Sequence, residues 1–254
     1  MIECNMVLSG GGARGFAHLG VIRALKEKNV SFASISATSS GGIIGALLCD
    51  GYTIDQITNI CHEAIATPLT KLNFHFTKGI LSIDSLNKIL AKYLRSKRFE
   101  DLKHPLFISV TDLNDGKQVI LKEGNVIEAI IASASIPIIF PPVFINEIPY
   151  ADGGISGNLP VDPFINSPLK TIGIHVNQLD VYNNSLGILR QIERTIHLGL
   201  KENVIREMAM LDLFIEPDGL KNYGLFDTKK IDEIIRLGYD YTMKNVDVKS
   251  LYNT

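Results

Sequence analysis

The sequence predicts an α/β fold with a mostly parallel sheet covered by helices on both faces. Strand-like and helix-like runs alternate through the first fifty residues, the rhythm of repeated βαβ units. A glycine-dense turn, Gly10-Gly11-Gly12-Ala13-Arg14-Gly15, stands where a first strand passes into a first helix. With 254 residues and an apolar share of 46%, the chain has ample material for a buried core.

In chain order, residues 4–9 read as a short buried strand and 16–28 as a helix. Residues 30–36 form the second strand, and 41–49 an apolar helix closed by Asp50-Gly51. Further helices are expected at 54–66 and 83–94, where Leu86, Ile89, Leu90 and Tyr93 share a helical spacing. The middle is more β-like, with 106–111 and 118–121 joined across Asn114-Asp115-Gly116. Residues 169–176 are a strand, 186–211 carry a long helical periodicity, and 231–243 a final helix. No repeat, low-complexity tract or linker divides the chain, so one domain is expected.

Several function classes are disfavoured at once. A net charge of −2 argues against broad binding of nucleic acid, though it leaves room for a local basic patch. Cys4, Cys49 and Cys61 are odd in number and lack CxxC spacing, which disfavours a disulfide framework or zinc site; Cys49 reads as a small core residue. MIECNMVLSG has no basic region and no long apolar segment, so no signal peptide is expected. The apolar stretch AIIASASIPIIFPPVFI is broken by Pro137, Pro141 and Pro142 and is too interrupted to span a bilayer. Its 136–145 part, like the 54–83 region, reads as core in preference to an acyl pocket or membrane contact. A cytoplasmic location is the expectation, with signal-less export left open.

The glycine turn fits GxGxxG, the dinucleotide fingerprint. That reading also demands an acidic residue at the end of the second strand, and Val30-Ser31-Phe32-Ala33-Ser34-Ile35-Ser36-Ala37 has none. A phosphate-cradling P-loop would need Gly-Lys-Ser/Thr, which is missing. What remains is a run of exposed N–H groups ahead of a helix, suited to an anion or to a transient oxyanion.

Where the dinucleotide acid should stand, the chain has Ala37-Thr38-Ser39-Ser40-Gly41-Gly42. Strand, sharp turn and apolar helix are the setting of a nucleophile elbow, G-x-S-x-G with Ala37 in first place. Ser39 has a small residue two before and glycine two after; Ser40 is the alternative register, or an N-cap for the helix. A serine nucleophile needs a proton acceptor. Of six histidines, His18, His62 and His197 fall in helical segments and His75 and His104 in loop-like ones. Only His175, near a strand end, suits a Ser-His-Asp triad. Asp152, in Pro149-Tyr150-Ala151-Asp152-Gly153-Gly154, reads by itself as a hairpin turn.

Taken together, these pieces resemble the patatin-like phospholipase family, and its small bacterial single-domain members in particular. The matching stretches are LSGGGARGFAHLGVIRAL at 8–25, ATSSGGIIGALLCDGY at 37–52, IPIIFPPV at 136–143 and YADGGISGNLPVDP at 150–163. The resemblance implies a three-layer α/β/α sandwich in a single domain over 1–254. The motifs would occupy about 4–165, and a helical C-terminal part, 166–254, would pack on the same domain. It further implies a Ser–Asp dyad, with Ser39 as nucleophile and Asp152 as proton acceptor. The backbone of Gly10, Gly11 and Gly12 would form the oxyanion hole, with Arg14 ordering that loop. Gly15, Ala37, Gly41, Gly153 and Gly154 would support the motifs. The implied reaction is hydrolysis of acyl esters, often of phospholipids, with an acyl lipid as the partner, peripheral membrane contact admitted, and no metal or organic cofactor.

The chain departs from the family pattern at Ala37, where glycine is usual, and at Ser40, where Ala or Gly is usual. Alanine meets a demand for closeness but is strained at positive φ. If position 37 needs positive φ, the alternative is a non-catalytic lipid- or protein-binding member of the fold; a nucleotide-binding oxidoreductase is the more distant alternative. An aspartate with a pKa of about 3.9 is also a poor match for a serine proton. The dyad therefore requires Asp152 to be buried, or charge at Ser39 to be stabilised by the elbow helix.

Overall fold

The computed structural model describes residues 1–66, 84–179, 181–182 and 187–252. Alternating strands and helices open the chain: β1 (Ile2–Leu8), α1 (Ala17–Glu27), β2 (Val30–Thr38), α2 (Ser39–Cys49), α3 (Ile54–Ala66) and α4 (Asp84–Tyr93). β3 (Leu106–Asp112), β4 (Gln118–Leu121), α5 (Val126–Ser133), β5 (Val143–Ile145) and β6 (Ile148–Asp152) follow. The chain closes with β7 (Thr171–Ile174), α6 (Ile188–Met208), β8 (Leu213–Ile215) and α7 (Ile231–Asn245).

The eight strands form one mixed, mostly parallel sheet in the order β5-β6-β3-β2-β1-β7-β8, with β4 also paired to β3. Helices cover both of its faces. The β1–β2, β2–β3, β1–β7 and β7–β8 pairs are parallel, while β4, β5 and β6 pair antiparallel at one edge. Residues 4–8 of β1 are all buried, as expected for a central strand covered on both faces. Met6, Leu8, Ile35, Ile108 and Ile172 pack in one core with Leu19, Leu25, Ile57 and Ile130 from the helices.

Small residues let α7 press against α1. A Cβ at Gly20 would stand 1.9 Å from the Ile235 carbonyl oxygen, and one at Gly238 would stand 2.4 Å from that of Ala17. The far end of α2 is held by Asp50, whose buried carboxylate accepts from Arg95 N at 2.7 Å and from Ser96 Oγ at 2.6 Å.

Several sequence expectations need correction. The stretch 126–133, to which the sequence pattern assigned no element, is a helix; Asn125 caps it by accepting from Ile127 N (3.0 Å) and Glu128 N (3.3 Å). Asp152 makes no hairpin turn: it ends β6, opposite Val110 of β3, and the chain continues into a short 3-10 turn over Gly153–Ile155. β5, β6 and β8 are strands that the pattern did not announce. The 136–145 segment is only partly core, since Ile138 and Phe144 are exposed. Ile83, His75 and Leu186 lie outside the described residues, as does the 67–83 part of the region read as core. Among the described residues, no helix is long and apolar enough to cross a membrane.

Candidate active site

Parallel strands β1 and β2 lie side by side, Leu8 opposite Ala37, so the loops leaving their C-terminal ends meet. The first loop carries Gly10–Gly12 and the second carries Ser39. Asp152 arrives from β6, on the far side of β3 from β2. Ligands favour this end of a parallel sheet because helix N-termini and free loop backbone converge there.

Ser39 is the vertex of the second turn. Its φ is +51°, in the left-handed region that a side-chain-bearing residue adopts only at a cost. α2 begins at Ser39 itself, so the helix N-terminus lies directly behind the hydroxyl. The Ser39 N–H donates to Ser133 Oγ at 2.8 Å, and the Ser133 hydroxyl donates to the Ser109 carbonyl at 2.7 Å. A buried serine from α5 thereby pins the strained turn to β3. Removing it in Ser133→Ala leaves a buried N–H without an acceptor. The expected loss is about 1–3 kcal/mol in urea unfolding.

Ala37 sits in ordinary strand backbone, and its φ is not positive; the left-handed residue of the turn is Ser39. Closeness is therefore the only demand at position 37, and alanine meets it. Smallness is enforced at Gly41, where a Cβ would fall 2.6 Å from the Ser9 carbonyl oxygen and 2.7 Å from that of Leu8. Gly41→Ala is expected to cost about 2 kcal/mol or more by forcing the two loops apart, read as a lowered melting temperature. Gly15 leaves room for Ser40, whose Oγ would be 2.4 Å from a Cβ there. Ser40 lies inside the first turn of α2 and does not cap it; Thr38 is the N-cap residue and makes no side-chain cap.

Asp152 is 6% exposed. Its carboxylate accepts from Gly154 N at 2.7 Å and faces the same cavity as Ser39. Burial pushes its pKa up to about 6, against the opposing pull of the nearby Ser39 side chain and the Gly154 N–H. The tight turn needs glycine at 153, where a Cβ would meet the Ser109 carbonyl oxygen at 2.3 Å. Gly154 is similarly close to Asp152 Oδ1, at 2.9 Å.

The glycine loop is braced from three sides. Gly12 has φ +57°, and Leu225 backbone lies where its side chain would be. The Gly10 carbonyl accepts from Asn177 Nδ2 at 2.5 Å, and the Gly10 N–H donates to Asn158 Oδ1 at 3.0 Å. Gly10 thus has no free N–H to offer, which corrects its expected place among the oxyanion donors. Among the described residues, the N–H groups of Gly11 and Gly12 have no acceptor. Arg14 is buried; its Nε donates to the Gly11 carbonyl at 3.4 Å, one NH2 donates to Asn177 Oδ1 at 2.8 Å, and it pairs with Glu193 of α6.

These residues line one cavity. Gly10–Gly12, Ser39, Asp152 and Asn158 form its polar wall, and Ile136, Ile139, Ile155, Ile192, Ile196 and Leu225 an apolar one. Glu193 and His197, from α6, also face it. Burial lowers the His197 pKa, which keeps the ring neutral. For Glu193, burial alone would raise the pKa, but the His197 ring 3.7 Å away and the Arg14 charge outweigh it and hold the carboxyl below its usual value. His175 is elsewhere: its Nδ1 bonds Glu216 at 2.6 Å, and it does not line the cavity, so His175 forms no triad with Ser39. Sequence reading missed Ser133, Asn158, Glu193 and His197. Only Asn158 carried a signal, since it follows the Asp-Gly-Gly motif closely.

Residues 6–165 match the sequence model of the family described as patatin-like phospholipase. The chain belongs to the patatin-like phospholipase family. An uncharacterized NTE family protein of Mycobacterium tuberculosis is 26% identical over 262 residues, covering 92% of this chain and 45% of that protein. The lysophospholipase NTE1 of Kluyveromyces lactis is likewise 26% identical, over 93% of this chain and 19% of its own length. The chain thus spans less than half of these relatives. Among solved structures, VipD from Legionella pneumophila shares the fold at a TM-score of 0.54 and 14% identity, over 95% of this chain and 66% of that one.

Proposed function

We propose that this protein is a serine acyl hydrolase that cleaves carboxylic-ester bonds of phospholipids or related acyl lipids through Ser39 and Asp152. The observation that carries the reading is a serine held at φ +51° that shares one cavity with a buried carboxylate raised to about 6. The family, and the lysophospholipase named among the relatives, support the lipid substrate class.

The reaction runs as two acyl transfers. Asp152 accepts the Ser39 proton as Oγ attacks the ester carbonyl carbon. Negative charge develops on the carbonyl oxygen, where the Gly11 and Gly12 N–H groups and the α2 N-terminus stabilise it. Collapse expels the alcohol, which takes the proton from Asp152 and leaves an acyl-Ser39 ester. Water then attacks that ester with Asp152 again as base, releasing the carboxylic acid and restoring Ser39. Arg14, tied to Glu193, holds the donor loop, and the isoleucine wall receives the acyl chain. Exposed Ile138 and Phe144, close in sequence to that wall, are suited to peripheral contact with a membrane.

The test is release of fatty acid from lysophosphatidylcholine and of p-nitrophenol from p-nitrophenyl butyrate by the purified chain. Turnover retained in Ser40→Ala and lost in Ser39→Ala supports the reading; the reverse pattern moves the nucleophile. No turnover of any acyl ester by the wild type contradicts it.

A further inference from the structure

Asn158 is 2% exposed and lines the cavity beside Ser39 and Asp152. The bond from the Gly10 N–H assigns its Oδ1 as the acceptor, because a backbone amide can only donate. Its Nδ2 is therefore a donor. Nδ2 is buried, and among the described residues it has no partner. A buried amide donor left unspent costs folding free energy, and such groups are rare without a reason. Asn158 also spans the two loops that matter most. A Cβ at Gly10 would lie 2.9 Å from Asn158 Oδ1 and 3.0 Å from Ser39 Cβ, while one at Gly154 would lie 3.3 Å from Asn158 Oδ1.

Resting on the serine-hydrolase reading above, we infer that Asn158 is a catalytic residue: its Nδ2 donates to the carbonyl oxygen of the bound ester and to the oxyanion formed from it. It takes the place that the Gly10 N–H cannot fill, since that N–H is spent on orienting the same side chain. The hole then consists of two backbone donors, at Gly11 and Gly12, and one side-chain amide. Side-chain amides serve this purpose well because they hold a neutral donor with no proton to lose.

Two variants separate donation from mere bracing of the loop. Asn158→Asp keeps an acceptor for the Gly10 N–H but puts a carboxylate oxygen where Nδ2 was; Asn158→Ala removes both. Each is assayed with p-nitrophenyl butyrate at pH 8 for kcat and KM, and with 1,1,1-trifluoro-2-octanone, a ketone that adds reversibly to a serine as an oxyanion. The ratio of ketone affinity to KM is read within each variant, so a partly unfolded sample does not shift it. Expected are a drop in kcat of about 10²–10³-fold, KM within about threefold, and ketone affinity weakened in step with kcat. The Asp variant should be no better than the Ala variant. An Asp variant clearly more active than Ala, or unchanged ketone affinity in both, makes Asn158 a brace and overturns the inference. Wild-type turnover that survives Ser39→Ala overturns instead the reading on which it rests.

Discussion

Replacing Ser39 with glycine or with alanine is expected to abolish ester hydrolysis, by about 10⁴-fold or more in kcat, with the glycine variant the more stable of the two. The activity loss follows from removing the nucleophile, without which no acyl-enzyme forms. The stability difference follows from the backbone. At φ +51° a residue with a Cβ carries about 1–2 kcal/mol of strain. Glycine relieves it, while its extra freedom in the unfolded chain returns about 0.5–1 kcal/mol of that gain. Alanine keeps the strain. The glycine variant should therefore melt about 2 °C above the alanine variant, on the scale of roughly 2–4 °C per kcal/mol for a chain of this size. A glycine variant that melts below the alanine variant would mean that Ser39 is not strained.

Asp152→Asn is expected to lower kcat by about 10³–10⁴-fold and to raise stability at neutral pH. Burial lifts this carboxyl from 3.8 to about 6, against the nearby Ser39 side chain and the Gly154 N–H, which pull the other way. A raised carboxyl pKa favours the protonated form in the folded state. That contribution to stability is complete below about pH 3.8 and is lost as pH rises through about 6. Above pH 6 the folded protein holds an ionised, buried Asp152, at a cost of up to about 3 kcal/mol. Asparagine keeps the shape without the charge. Its advantage in urea unfolding should be largest at pH 8 and should fade as pH drops towards 4. Activity moves oppositely: kcat/KM of the wild type should rise with pH and level off above about 6, where Asp152 can accept a proton. A variant less stable than wild type at pH 8 would contradict the assignment of burial as the cause.

Much of this architecture was legible in the residues. The first four elements declare themselves through alternating apolar periods and glycine punctuation, and they alone bring Gly11, Gly12 and Ser39 together. Asp152 was visible as a motif, but its neighbourhood was misread. Asp-Gly is a hairpin signal wherever local turn chemistry decides, and here pairing with β3 decides instead. α5 was hidden because VIEAIIAS is apolar all round and rich in β-branched residues, so it lacks the alternation of a half-exposed helix; Asn125 was its overlooked cap. Ser133 and Asn158 act on residues 94 and 148 positions away, and no local pattern encodes such pairings. His197 reaches the cavity only because α6 lies across it, while His175, the better-placed histidine in the sequence, is drawn off by Glu216. Ala37 looked like a departure that could disable the turn. The backbone moves the strain to Ser39 and leaves position 37 an ordinary strand residue.

The most direct test of the Ser39–Asp152 site is covalent labelling by a fluorophosphonate probe, mapped by mass spectrometry of the digested protein. Reaction requires a serine oxygen activated by a base and an oxyanion site to receive the phosphonyl oxygen. The expected result is a single adduct on Ser39 in the wild type, formed faster at pH 8 than at pH 5 and lost in Asp152→Asn. An adduct on Ser40, or an unlabelled wild type in which Ser39 stays free, would contradict it.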